Sequence, residues 1–378
     1  MKIDNRIIDE KLTNDYIAGF VHGDGGFSVT LNIRKNKNNE KLFLLPTFTL
    51  TQHKRSIVLI KKIIERFDNI GTYRIDNKNI IRYRVRDINN MMNTIIPFFD
   101  KYQLKYNKLL IFIKLKFIVE KLNGINGNYK WYSRNLDNKY NELMLDLITI
   151  SVNMNTNVKP SVQLKYLSDK DKKKVLNNEL SSNILKELNN YILNYNYKNN
   201  LNIDFINGLF DSDGWITLRL ELNKSKTSIG MWWEYGIVSD LLNKELLYEI
   251  KKKFNNVGFI NKRKDENSIS YIVTKLDCLS EVFPRIYNVS NYIDILESNN
   301  KNIKGPIIKD KKIKEILNIL GLYEEYKKNK NNLILEKILN LSYEIRDINL
   351  KNKESWNDYL IRMKNKLSPR PHSVRGIK

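Results

Sequence analysis

The sequence predicts an α+β fold made of two pseudo-symmetric αββαββα units. Three observations point there: a short motif occurs twice, each copy is followed by the same ordered change of hydrophobic period, and landmark residues recur in register. Gly19-Phe-Val-His-Gly-Asp-Gly25 returns roughly 190 residues later as Gly208-Leu-Phe-Asp-Ser-Asp-Gly214. Phe67 and Phe254, Tyr83 and Tyr271, and Pro97 and Pro284 repeat at nearly the same offset.

Residues 12–23 and 203–212 read as helices, with Asn14 or Asp15, and Asn202 or Asp204, as N-caps. Alternation follows: Phe27, Val29, Leu31 and Ile33 on one side against Ser28, Thr30, Asn32 and Arg34, and Ile216, Leu218, Leu220 and Leu222 against Thr217, Arg219, Glu221 and Asn223. These are half-buried strands. Second strands at 47–51 and 234–239 lead into helices at 57–67 and 245–254. Gly71 and Gly258 turn the chain into further strands, of which Arg82-Tyr-Arg-Val-Arg86 alternates cleanly and Ser270-Tyr-Ile-Val273 more weakly. The expected division is residues 1–165, a linker at 166–200 whose runs 169–174 and 194–200 are solvated, a second unit at 201–310, and a basic helical extension and tail at 311–378.

With 378 residues, 65 Lys and Arg against 42 Asp and Glu, and a formal charge of +23, the chain is built for a polyanionic partner. One cysteine and three histidines exclude a disulfide scaffold or a zinc module. No apolar run approaches the roughly 18 residues of a membrane helix, so no membrane partner is expected. About one residue in seven is Asn and the only alanine is Ala18. That codon bias points to an AT-rich organelle genome. Asp4, Asp9 and Glu10 do not suit an acidic-poor import presequence, which fits a protein made inside the organelle, with a mitochondrial location.

Ala18, Gly19 and Gly23 keep one helical face nearly free of side chains, so a second helix can approach to backbone contact. Gly25 and Gly214, after the carboxylates, suit left-handed helix ends. If the repeats pack these helices together, Asp24 and Asp213 emerge side by side. Apposed acids at helix C-termini are doubly disfavoured unless a cation joins them, and oxygen-only ligands suit Mg²⁺ with phosphate oxygens completing its shell.

With Ile17-Ala-Gly-Phe-Val-His-Gly-Asp-Gly25 and Ile206-Asn-Gly-Leu-Phe-Asp-Ser-Asp-Gly214 as its two motif copies, the chain resembles the LAGLIDADG homing endonucleases and intron maturases over residues 12–306. The two-copy form is similar to the family's single-chain, pseudo-dimeric branch, which implies a monomer. The resemblance implies saddle-shaped antiparallel sheets astride DNA, with motif helices (Ala18, Gly19, Gly208) at the domain interface. It also implies metal ligation by Asp24 and Asp213 with the carbonyls of Gly23 and Ser212, a water-ordering Gln52, and Lys105 near the scissile phosphate. Ser239 stands where the second copy would carry its Gln, and residues 288–294 offer no second lysine. The expected activity is Mg²⁺-dependent hydrolysis of double-stranded DNA at a long target, in intron homing. The alternative is a maturase acting on its host group I intron RNA, and a third reading is a structural role in a ribonucleoprotein.

The polar strand residues Ser28, Thr30, Asn32, Arg34, Arg82, Arg84 and Arg86, with Thr217, Arg219, Asn223, Lys262 and Arg263, are expected to read groove edges or grip phosphates.

Overall fold

The computed structural model describes residues 9, 12–36, 39–124, 131–132, 138–154, 164, 167–198, 200–222, 229–262, 267–274, 279–297, 305–347, 355 and 357–358. The chain divides into two compact units, Met1–Ser212 with Leu242–Leu246, and Asp213–Leu241 with Leu247–Lys378.

In the first unit α1 (Asn14–Asp24) runs directly into β1 (Gly25–Asn36), which pairs with β2 (Asn39–His53). After α2 (Ile57–Arg66) come β3 (Thr72–Ile75) and β4 (Ile80–Val85), giving an antiparallel sheet of order β1-β2-β4-β3. A helical stretch at 88–101 contains a π turn at Met91–Ile95 and ends in α3 (Ile96–Lys101). It is followed by α4 (Tyr106–Gly124), the two-residue β5 (Trp131–Tyr132), which extends the sheet from β2, and α5 (Asn138–Val152). Phe27, Phe48, Tyr83, Phe99 and Phe112 are buried between the sheet and its helices, their rings meeting largely edge to face. Each such buried ring contributes on the order of 2–3 kcal/mol from apolar area alone.

The linker region forms α6 (Asp169–Leu176), capped by Ser168, and α7 (Ser182–Leu193). The 194–200 run is not simply solvated. Gln103 donates from Nε2 to the Asn196 carbonyl at 2.7 Å and accepts from the Lys198 amide at 2.7 Å, and the Tyr195 hydroxyl donates to Asp100 at 2.9 Å. Gln103 Nε2 also donates to the Asp100 carbonyl at 3.3 Å, so the buried amide side chain is satisfied by backbone on both sides.

The second motif helix is α8 (Ile203–Asp213), and it leads into β6 (Gly214–Leu222). The second unit continues with β7 (Ile229–Asp240), α9 (Lys244–Lys253), β8 (Phe259–Lys262) and β9 (Ser268–Val273), in an antiparallel sheet of order β6-β7-β9-β8. Then come α10 (Leu279–Tyr287), α11 (Tyr292–Glu297), and an extension of two packed helices, α12 (Asp310–Asn329) and α13 (Asn332–Asp347), that reaches back to β6. Of the expected extension and tail at 311–378, residues 359–378 lie outside the described residues.

The duplication extends to backbone detail. Gly71 and Gly258 both have φ +79°, and Tyr83 and Tyr271 donate their hydroxyls to the carbonyls of Ile70 and Val257 at 2.8 and 2.9 Å. Two local expectations change. The α1 cap is Thr13, whose hydroxyl accepts from the Tyr16 amide, whereas Asn202 caps α8 as expected. Gly25 is extended, at φ −82° and ψ 156°, and not left-handed, and Gly214 opens β6. The helix-to-strand passage needs no turn. Glycine is required at 25 because a Cβ would run into the Val21 carbonyl of the helix just completed.

Within the first unit α1 and the 203–212 part of α8 cross at backbone contact. A Cβ on Gly19 would overlap the Phe205 carbonyl oxygen, and one on Gly208 the Tyr16 carbonyl oxygen. Ala18 is fully buried beside this crossing. Because backbone cannot yield as a side-chain tip can, Gly19→Ala is expected to cost about 3 kcal/mol or more, or to prevent folding. By contrast Gly321→Ala in α12, where an added Cβ meets nothing within 4 Å, should gain up to about 1 kcal/mol. Thermal unfolding of the two variants checks both signs.

Candidate active site and nucleic-acid interface

Asp24 is the last residue of α1, half-buried, with Gly23 before it. Gln52 reaches it from β2, donating from Nε2 to Asp24 Oδ2 at 2.6 Å, while its Oε1 accepts from the His53 amide at 2.8 Å. Strand parity explains the placement. Gln52 follows Phe48 and Leu50 on the face that packs against helices, so its side chain is aimed inward, at the helix end. In the second unit Ser239 pairs with Ile269 as Gln52 pairs with Ile81, so the two positions are equivalent and the second has a shorter side chain. Asp213 ends α8 as Asp24 ends α1, and the Ser212 hydroxyl donates to the Leu209 carbonyl at 2.8 Å.

Lys105 is buried at 3% exposure, and its Nζ donates to the Lys198 carbonyl at 2.9 Å over the Tyr197 ring. That bond ties Lys105 to the linker. Lys108, on the first turn of α4, instead donates from Nζ to the Gly25 carbonyl, the residue after Asp24. Lys108 is not among the residues that the motif pattern marks. The only signal in the sequence is a second lysine three positions after Lys105. In the second unit residues 288–294 lead into the short α11. The long helix that holds the place of α4 begins later, at Asp310, with Lys309, Lys311 and Lys312 around its start.

At the helix crossing the pseudo-symmetric partners differ in chemistry. The Tyr16 hydroxyl donates to Asp211 Oδ2 at 2.5 Å. The equivalent pair is Phe205 against His22, an edge contact at 5.5 Å between ring centroids. Neither His22 nitrogen has a hydrogen-bond partner among the described residues. Burial first, and then the Lys108 and Lys105 charges, push His22 down to about 3, so the imidazole is neutral.

The outward face of the first sheet is polar and basic. Ser28, Thr30 and Asn32 are half-exposed on β1, between buried Phe27, Val29 and Leu31. Two rows cross the sheet, Thr49–Arg84–Thr72 and Thr51–Arg82–Arg74. Arg74 was not foreseen. Arg82 bonds to Asp76 at 3.3 Å, and burial together with the Arg86, Arg74 and Arg82 charges lowers the Arg84 guanidinium from its ordinary value. Arg86 is exposed just past β4. In the second unit Thr217 is half-exposed on the outward face, while Lys262 is exposed on edge strand β8, in register with inward-facing Ile269. Only the backbone of Arg34 and Arg219 is described, and Asn223 and Arg263 lie outside the described residues.

Two sheets, two glycine-crossed helices and two helix-terminal acids make a duplicated scaffold. The LAGLIDADG endonuclease family profile matches residues 17–119 and 206–292, and the chain belongs to that family. It is 26% identical over 272 residues to a probable intron-encoded endonuclease 2 of Neurospora crassa, covering 70% of this chain and 53% of that protein. It is 32% identical over 117 residues to a probable intron-encoded DNA endonuclease 1 of Mycosarcoma maydis, 31% of this chain and 41% of that one. The chain thus spans about half the length, or less, of these relatives. Its fold is shared with the I-SmaMI LAGLIDADG homing endonuclease bound to cleaved DNA (TM-score 0.65, 18% identity, 90% of this chain and 99% of that one). It is also shared with I-GzeII in complex with its DNA target (TM-score 0.63, 20% identity, 91% and 100%). Among the described residues no helix is long and apolar enough to cross a membrane.

The neutral His22 makes stability depend on pH with a definite sign. In the unfolded chain the imidazole gains a proton below about 6.5, but in the fold only near 3, so stability falls as pH drops through this window. Between pH 7 and 5 the loss from this group is about 2 kcal/mol. A His22→Leu protein should lose correspondingly less over that interval, measured by urea unfolding at both pH values.

Proposed function

We propose that the chain is a site-specific DNA endonuclease of the intron-homing kind, hydrolysing phosphodiesters in a long double-stranded target. The observation that carries this is Asp24 at the foot of a glycine-crossed helix, with Gln52 already bonded to one carboxylate oxygen. Asp213 ends the partner helix the same five residues beyond its own crossing glycine, Gly208.

The donor set fits a hard divalent cation. All candidate ligand atoms are oxygens: the Asp24 carboxylate with the Gly23 carbonyl, and the Asp213 carboxylate with the Ser212 carbonyl. A bound ion, Mg²⁺ in this proposal, supplies Lewis-acid stabilisation of phosphoryl oxygens and of the leaving 3′ oxygen. The chain's own residues do the rest. The Gln52 amide fixes the Asp24 carboxylate and is placed to order water. The Lys108 ammonium, beside the Gly25 carbonyl, is positioned to stabilise charge building on the scissile phosphate, and Lys105 serves from the linker side by holding the loop that precedes α4. The arginine face of the first sheet grips and reads the duplex.

The same proposal has the protein act as a monomer, since one chain carries both motif copies, and makes it mitochondrially encoded, on its AT-type composition. A group I intron RNA as a second, maturase-type ligand draws support from its charge and from the intron-encoded relatives.

Asp24→Asn should lower cleavage of the cognate duplex by at least 10²-fold while leaving binding nearly intact, and Gln52→Ala should lower it by a smaller factor. Wild-type cleavage rates in the Asp24→Asn protein would refute the assignment. Separately, binding should weaken by about 10³–10⁵-fold between 50 and 200 mM salt if 6–10 phosphates are neutralised. A filter-binding salt series measures it.

A further inference from the structure

One carboxylate stands among the arginines of β3 and β4. Between Gly71 and Arg86 the chain carries four arginines, Arg74, Arg82, Arg84 and Arg86, and one acid, Asp76. Arg74 and Arg82 are direct partners across β3 and β4, so two like charges face each other on the outward side of the sheet. Asp76 follows β3 with the parity of Arg74, and its two oxygens have separate tasks. Oδ1 accepts from the Lys78 and Ile80 amides at 2.9 and 3.0 Å, which closes the turn between the strands. Oδ2 accepts from Arg82, from Nη2 at 3.3 Å and from Nε at 3.4 Å. The Ile80 amide above all, with the Lys78 amide and the Arg82 guanidinium, outweighs desolvation and holds the Asp76 carboxyl below its ordinary value.

This pairing divides the guanidinium. Asp76 occupies its Nε and Nη2 side, which leaves the terminal edge, formed by Nη1 and the second Nη2 hydrogen, to donate elsewhere. Among the described residues nothing else accepts from Arg82, whose side chain is 42% exposed. A pair this exposed adds little to stability. Its effect is on direction and charge. Two parallel N–H donors match the O6 and N7 acceptors of guanine. A phosphate is a poorer partner for this arginine, because its charge is already matched and the adjacent carboxylate repels phosphate oxygens. Arg74, Arg84 and Arg86 have no carboxylate partner among the described residues and keep their full charge for the backbone.

Resting on the endonuclease proposal, we infer that Asp76 is a positioning residue for base readout: it turns Arg82 away from the phosphates and presents its terminal fork to one guanine of the target. The carboxylate lowers affinity for duplex DNA in general, by cancelling one cation of the face, and raises discrimination at that base pair.

The test starts from the full-length Asp24→Asn protein, so that bound duplex stays uncleaved, and selects from randomised double-stranded DNA. Asp76→Asn and Arg82→Gln are added singly and together. Asparagine keeps an oxygen for the two turn amides while its nitrogen cannot accept from Arg82, and circular dichroism checks that each variant is folded. The expected result is a guanine position whose preference falls about tenfold in Asp76→Asn, in Arg82→Gln and, no further, in the double variant. On a random-sequence duplex Asp76→Asn should bind more tightly than its parent, with a salt slope steeper by about one, whereas Arg82→Gln leaves the slope unchanged. A turn-closing role alone would weaken binding to every sequence and steepen nothing. An Asp76→Asn protein that retains the guanine preference, or loses affinity for all duplexes alike, overturns the inference and leaves the endonuclease proposal standing. So does a guanine preference that Arg82→Gln, on a solvent-facing strand position, does not alter. Failure to enrich any duplex overturns both.

Discussion

Close approach of two helices at Gly19 and Gly208 is the constraint on which the rest of the molecule depends. Each glycine lies where the other helix's backbone carbonyl needs the space of a side chain, so neither position tolerates even a methyl group. Attraction at such a crossing comes from many short van der Waals contacts rather than from any one strong bond. Its effect on function is geometric. Five residues from the crossing to the terminal acid is about 7.5 Å of helix in both copies, so the placement of each carboxylate is inherited from the crossing by a rigid element.

From that end point outward the fold supplies orientation. β1 begins without an intervening turn, and β2 returns beside it with the parity that turns Gln52 toward Asp24 and leaves Thr49 and Thr51 on the opposite face. One alternation thus serves two purposes: odd positions on β2 face the solvent side that holds the arginines, and even positions serve the core and the acid. A shift of one residue in this register would exchange them. The strap at 195–198 adds a second layer, with Gln103, Lys105 and Asp100 binding the linker just before α4 begins.

Much of this was legible in the sequence for physical reasons. Alternation marks half-buried strands, glycine marks φ +79° at 71 and 258, and the duplicated motif locates both acids and the crossing. What escaped was decided by tertiary context. Lys105 and Lys108 are three residues apart and look equivalent, but Lys105 precedes α4 while Lys108 is on its first turn, beyond Tyr106 at φ 47°. That backbone reversal sends one ammonium to the linker and the other to Gly25. Arg74 was missed because its strand has four residues, too few to show a period. The left-handed turn assigned to Gly25 ignored a different demand on glycine, room for the preceding carbonyl. The N-cap moved to Thr13 because Asn14 and Asp15 are already inside the helix.

The helix crossing also carries a record of which half belongs with which. Tyr16 gives its hydroxyl to Asp211, but the mirrored position sets Phe205 against a bare imidazole. Two copies of the latter half meeting each other would bury two acids facing phenyl rings, each deprived of its donor, at a cost of several kcal/mol. The seam therefore favours the pairing of α1 with α8 over a pairing of two copies of α8.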